Sequence, residues 1–96
     1  MIVRLKTQEE IDGFRKAGKA AAHILSKLLL NTQAGWIPIE IDKIAREECD
    51  KIEAKPAFLG YRDFPAAICF SRNNVLVHGI PDNKPLERGE IVSIDF

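Results

Sequence analysis

Apolar positions recur at helical spacing from Ile11 through Phe14, Gly18, Ala21 and Leu25 to Leu28, the stripe of an amphipathic helix. The stripe opens behind Thr7-Gln8-Glu9-Glu10. This is a capping box: the Thr7 hydroxyl accepts from the Glu10 amide, and the Glu10 carboxylate reaches back. Asn31 is a fitting stop. Ala17, Gly18, Ala20, Ala21 and Ala22 keep the helix slim, which suits close packing on a sheet. Residues 31–36 then read as a turn, with Gly35 free to take a positive φ. A second helix is predicted from Pro38, since proline is tolerated at a first helical position, to about Glu53. Ile41, Ile44, Ala45, Cys49 and Ile52 form its buried stripe. Ile37, in front of it, has no side-chain oxygen to cap with.

After Lys55 the periodicity changes. The stretch KPAFLGYRDFP holds Phe58, Leu59, Tyr61 and Phe64 among two prolines and a glycine, which is loop chemistry with unusual aromatic content. Three short runs rich in β-branched and aromatic residues follow: AAICFSR at 66–72, VLVH at 75–78 and EIVSIDF at 90–96. Each reads as a strand. Asn73 and Asn74 join the first two as a hairpin, because Asn accepts the left-handed conformation a tight turn requires. GIPDNKPLERG is a longer connection. Helices first and strands afterwards predict an α+β architecture, two helices packed on an antiparallel sheet. Residues 1–96 are expected to form a single domain, burying roughly two-thirds of the surface exposed by the unfolded chain.

Composition narrows the partners. Lys plus Arg and Asp plus Glu balance at 14 each, and the basic residues are scattered singly. No net field attracts nucleic acid or an anionic membrane, so neither is expected as a partner. The most apolar segment, AAAHILSKLLL, is 11 residues long and carries His23 and Lys27, against the roughly 20 that cross a bilayer. The amino-terminal MIVRLKTQEE has no long apolar stretch behind its charges and does not read as a signal peptide. A cytoplasmic protein is expected. Cys49 and Cys69 are too few for a disulfide framework and read as reduced thiols packed like small hydrophobes.

Three places offer chemistry. In the final strand Val92, Ile94 and Phe96 face one way, and Ile91, Ser93 and Asp95 the other. Asp95 is either one more group on a wet face or a carboxylate held rigidly enough to bind a hard metal or act as a base. His78 sits where VLVH gives way to a loop. There an imidazole binds a metal, bonds a substrate, or merely caps a nearby carbonyl. Phe58, Tyr61 and Phe64, at i, i+3 and i+6, line a pocket or belong to the core. His23 has no partner residue nearby and reads as surface.

Taken in order, PAFLGY, Phe64-Pro65, Ile68-Cys69, His78-Gly79-Ile80-Pro81 and Gly89-Glu90-Ile91-Val92-Ser93-Ile94-Asp95 closely resemble the methionine aminopeptidases of the bacterial, type I kind. The helical front, TQEEIDGFRKAGKAAAHIL and IEIDKIA, resembles that family's opening helices, so the resemblance covers the whole chain. It implies the N-terminal half of the pita-bread fold, in which two similar α+β halves flank a dinuclear metal site. It also implies removal of the N-terminal methionine from nascent polypeptides. On that resemblance Asp95 matches the first of five metal-holding side chains. His78 matches a cleft histidine that bonds the substrate near the scissile peptide. Phe58, Tyr61, Phe64 and Cys69 match residues that line part of the methionine side-chain pocket, whose soft apolar walls suit a thioether. The implied cofactors are two divalent ions (Co, Mn, Fe or Zn), which lower the pKa of a bridging water and polarise the scissile carbonyl.

Departures from the family pattern are Ile37 for the usual capping Thr, Asp63 for Gly, Phe70 for a small polar residue and Asn74 for an acid. Asp63 and Phe70 are expected close to the pocket. The family's other four metal ligands have no counterpart through Phe96. The expectation is therefore that the chain alone holds no metal tightly and is catalytically inert. A homodimer through the exposed cleft face is expected to imitate the missing half. A non-catalytic module binding a peptide N-terminus or a protein partner, and a non-functional remnant, are the other readings.

Overall fold

The computed structural model describes all residues from Met1 to Phe96. Helix α1 spans Gln8–Asn31 and α2 spans Pro38–Lys51. A single 3-10 turn covers Tyr61–Asp63, and two strands follow, β1 at Cys69–Arg72 and β2 at Val92–Asp95.

Thr7 caps α1 as expected, its Oγ1 accepting from the Glu10 amide at 3.1 Å. The return contact differs in detail: the Glu10 carboxylate accepts from the Thr7 hydroxyl at 3.2 Å. Pro38 starts α2 with no side-chain cap from Ile37. That helix stops at Lys51, and Ile52 lies beyond it, half exposed.

The two helices and the sheet enclose one core. Ile24 and Leu28 of α1 meet Ile41, Ala45 and Cys49 of α2, with Ala67, Ile68, Phe70 and Leu86 closing the cluster. Leu28, Ile41 and Ile68 are fully buried, each worth about 1.5–3 kcal/mol relative to exposure. A part-buried ion triad fastens the helices together beside this core. The Glu48 carboxylate accepts from Lys51 Nζ at 2.8 Å and Lys27 Nζ at 3.0 Å, and these lysines hold its pKa below the ordinary value.

Only the second half of α1 packs. Phe14 and Gly18 are exposed, and a Cβ placed on Gly13 or Gly18 meets nothing within 4 Å. The slim face expected to lie on the sheet is therefore open. The accessible surface is 7425 Å², against about 5,500 Å² for a compact monomer of this mass. The chain buries about half of its unfolded surface rather than two-thirds.

β1 and β2 pair antiparallel, with Cys69 opposite Asp95, Phe70 opposite Ile94, Ser71 opposite Ser93 and Arg72 opposite Val92. Val92, Ile94 and Phe96 pack against the core while Ser93 and Asp95 are exposed, the alternation expected from the pleat. The expected strand VLVH does not form. The Val75 amide donates to the Arg72 carbonyl at 3.0 Å, a register that would set Val77 opposite Phe70. Instead the Phe70 amide donates to Gly79, two residues later, at 2.8 Å. The surplus residues cannot pair, and Val75, Leu76 and Val77 bulge into solvent.

Gly79 is required where it stands. A Cβ there would lie 2.1 Å from the Phe70 carbonyl oxygen, inside any tolerable contact. Its amide also donates to Ser71 Oγ at 3.0 Å, so the backbone after His78 is pinned to β1. No helix of the structure is long and apolar enough to cross a membrane.

Candidate metallopeptidase half-site

Three separate segments meet over the free face of the sheet and enclose a cavity of about 530 Å³. The aromatic loop contributes Phe58, Tyr61, Arg62 and Phe64, the sheet Cys69 and Asp95, and the segment after the bulge His78 and Ile80. Phe58, Tyr61, Phe64, Cys69, His78 and Asp95, singled out from the sequence, thus lie around one space. Arg62 and Ile80 were not singled out, although they neighbour residues that were.

Each wall has its own support. The aromatic loop is closed by backbone bonds from Tyr61 to Phe58, from Asp63 to Gly60, from Phe64 to Tyr61 and from Gly60 to Phe64, all between 2.9 and 3.2 Å. Arg62 and Asp63 lie at φ 47° and 64°, a left-handed conformation that costs a non-glycine residue energy. Asp63 therefore occupies a backbone shape that suits the glycine of the family pattern. Its side chain does not line the cavity. Phe70 does not either; it is buried in the core.

The wall carrying Cys69 is set from beneath by a buried carboxylate. Asp42 of α2 is 6% exposed. Its Oδ1 accepts from the Ala67 amide at 2.7 Å and the Ile68 amide at 3.0 Å, and its Oδ2 accepts from Arg46 Nε at 2.9 Å. These amides lie ahead of the β1 ladder, where no strand partner is available, and an unmatched buried N–H is costly. Sequence reasoning missed Asp42. An acid next to Ile41, on the buried face of α2, was the available signal.

A second ionic lock holds the far end of the ladder. Arg72 donates to Glu90 at 2.6 and 2.9 Å and to the Lys84 and Pro85 carbonyls. The Arg72 guanidinium, helped by the Glu87 amide, drops the Glu90 carboxyl from its ordinary 4.5 to about 2. The β1–β2 register is thereby tied to the connection between the strands.

His78 takes φ 59°, which turns the chain at the end of the bulge, and the residue lines the cavity. Cys69 is a free, buried thiol; burial, and after it the Asp95 charge, pushes its pKa up, so it stays protonated. Cys49 is likewise free and buried.

A metal would find one carboxylate here. No three His, Cys, Asp or Glu side chains converge anywhere in residues 1–96, whereas a hard divalent ion takes six or more oxygens. These residues do not by themselves compose a dinuclear site.

The fold is that of part of a metallopeptidase. The sequence model of metallopeptidase family M24 matches residues 12–96, and the chain belongs to that family. It is 41% identical to the methionine aminopeptidase of Aquifex aeolicus across its whole length and 43% identical to that of Clostridium perfringens across 98% of it. The chain spans about two fifths of the length of these curated relatives, 40% and 38%. The crystal structure of methionine aminopeptidase from Rickettsia prowazekii superposes with a TM-score of 0.93 at 34% identity, covering 98% of this chain and 38% of that one. The Thermotoga maritima enzyme superposes with a TM-score of 0.91 at 36% identity. The α+β arrangement is accordingly that of the pita-bread fold, represented here in part.

Proposed function

We propose that residues 1–96 form the methionine-recognising part of a methionine aminopeptidase, which removes N-terminal methionine from nascent polypeptides. Phe58, Tyr61, Phe64 and Cys69 surround the methionine side chain, His78 hydrogen-bonds the peptide next to the scissile bond, and Asp95 is one ligand of a divalent-metal centre. The observation that carries this reading is the single cavity onto which all six residues open. Its polar groups are few, Arg62, His78 and Asp95 among an otherwise apolar lining, the usual form of a site that grips one side chain and orients one bond.

Recognition and hydrolysis are separable here. Phe58, Tyr61, Phe64 and Cys69 all line the cavity of residues 1–96, but a lone carboxylate does not hold a metal pair. These 96 residues are proposed to bind a methionyl N-terminus without cleaving it, which also favours the reading as a binding module. The test is calorimetric titration with Met-Ala-Ser and Ala-Ala-Ser, together with an assay for released methionine in Mn²⁺ or Co²⁺. Tighter binding of the methionyl peptide, weakened by Phe58→Ala or Phe64→Ala, is expected. Equal affinity for the two peptides overturns the recognition proposal; rapid release of methionine overturns the separation.

A further inference from the structure

Arg62 is the one cation lining the cavity. Its guanidinium lies 5.3 Å from the centre of the Tyr61 ring, a distance at which ring and cation attract. It enters none of the structure's ion pairs. Asp63, its neighbour in sequence, does not face the cavity. The turn carrying Arg62 is closed by its own backbone bonds, so the charge is presented from a fixed base rather than from a loose loop.

We propose that Arg62 is a specificity-determining residue that selects peptides carrying a carboxylate on the second residue after the N-terminal methionine. The proposal rests on the recognition reading above and adds a substrate class to it. An apolar cavity that grips the first side chain leaves the rest of the peptide at its open side, and Arg62, an exposed residue of the lining, is the cavity's unpaired positive charge. A guanidinium presents a planar fork of donors that matches a carboxylate in two-point geometry. Its five N–H groups have no protein acceptor here, so a ligand carboxylate displaces only water. Asp95, also on the cavity, repels the same carboxylate, so the attraction acts only on the Arg62 side. The guanidinium is exposed, which limits the preference to about two- to fivefold at low salt, decreasing as salt screens it.

The carboxylate has two sources, an acidic side chain or a peptide's own C-terminus, and the peptides separate them. Met-Ala-Asp-amide, its lysine counterpart Met-Ala-Lys-amide, Met-Ala-Ala-amide and Met-Ala-Ala with a free C-terminus are each titrated into the chain. Tighter binding of an aspartyl over the matching lysyl amide assigns the preference to the side chain. Tighter binding of Met-Ala-Ala acid over its amide extends it to the terminus. Arg62→Gln is expected to abolish the Asp-to-Lys ratio whatever its affinity for the neutral peptide, and Arg62→Glu to invert it. Equal binding of aspartyl and lysyl peptides by the parent chain, or a ratio unchanged in Arg62→Gln, overturns the proposal while leaving methionine recognition standing. Failure of Met-Ala-Ala-amide to bind overturns both.

Discussion

Cys69 and Asp95 stand opposite each other across the β1–β2 ladder, and both open onto the same cavity. A thiol and a carboxylate 26 residues apart in the chain are thus electrostatic neighbours, and the Asp95 charge adds to burial in raising the Cys69 pKa. Asp95→Asn removes that charge and leaves the burial. The Cys69 pKa is expected to fall part of the way towards its ordinary value, read as faster alkylation at mildly alkaline pH in a Cys49→Ser background. An unchanged rate profile would show that the carboxylate does not act on the thiol.

Asp42 is the acceptor for two buried amides that no strand satisfies. Asp42→Ala leaves both N–H groups without a partner, at about 1–3 kcal/mol each. A loss of about 2–6 kcal/mol in urea denaturation is expected, and a smaller one for Asp42→Asn, whose amide oxygen still accepts.

Glu90 has a folded-state pKa near 2 against an ordinary 4.5. A depressed carboxyl pKa means that the folded state prefers the ionised form, so its stabilisation is complete above about pH 5. It is lost as pH falls from 4.5 towards 2, because the unfolded chain takes up the proton first. Glu90→Gln is expected to melt lower than the parent at pH 7 and to lose less on acidification through that window. Parallel melting curves for the two proteins across the window would contradict this.

Gly79 cannot accept a side chain where it stands. Gly79→Ala must move its backbone off Phe70, with an expected loss of about 1–3 kcal/mol. Amide resonances of Phe70 and Ser71 should shift, since both residues bond Gly79 directly.

Much of this was legible in the order of residues, and the reasons are local. The Thr7 cap, the proline start of α2 and the alternation that puts Asp95 opposite to Ile94 depend on neighbours within a turn or a pleat. The residues around the cavity were legible through their motifs, for Phe58, Tyr61, Phe64, Cys69, His78 and Asp95 all line one space. Val75–Val77 misled, because β-branched residues favour a strand only where a partner edge lies in register. The front half of α1 misled in another way: a helical stripe declares a face, not what covers it.

By itself the sequence determined the two helices, the pleat parity of β2 and the chemical character of each candidate residue, all set by contacts within a few positions of chain. Only the tertiary structure decided that Phe70 meets Gly79 rather than Val77, that Asp42 holds the wall 25 residues downstream, and that an unpaired Arg62 lines the cavity. Those outcomes depend on long-range packing and on backbone angles imposed from outside the segment, as in the positive φ of His78, which side-chain periodicity does not encode.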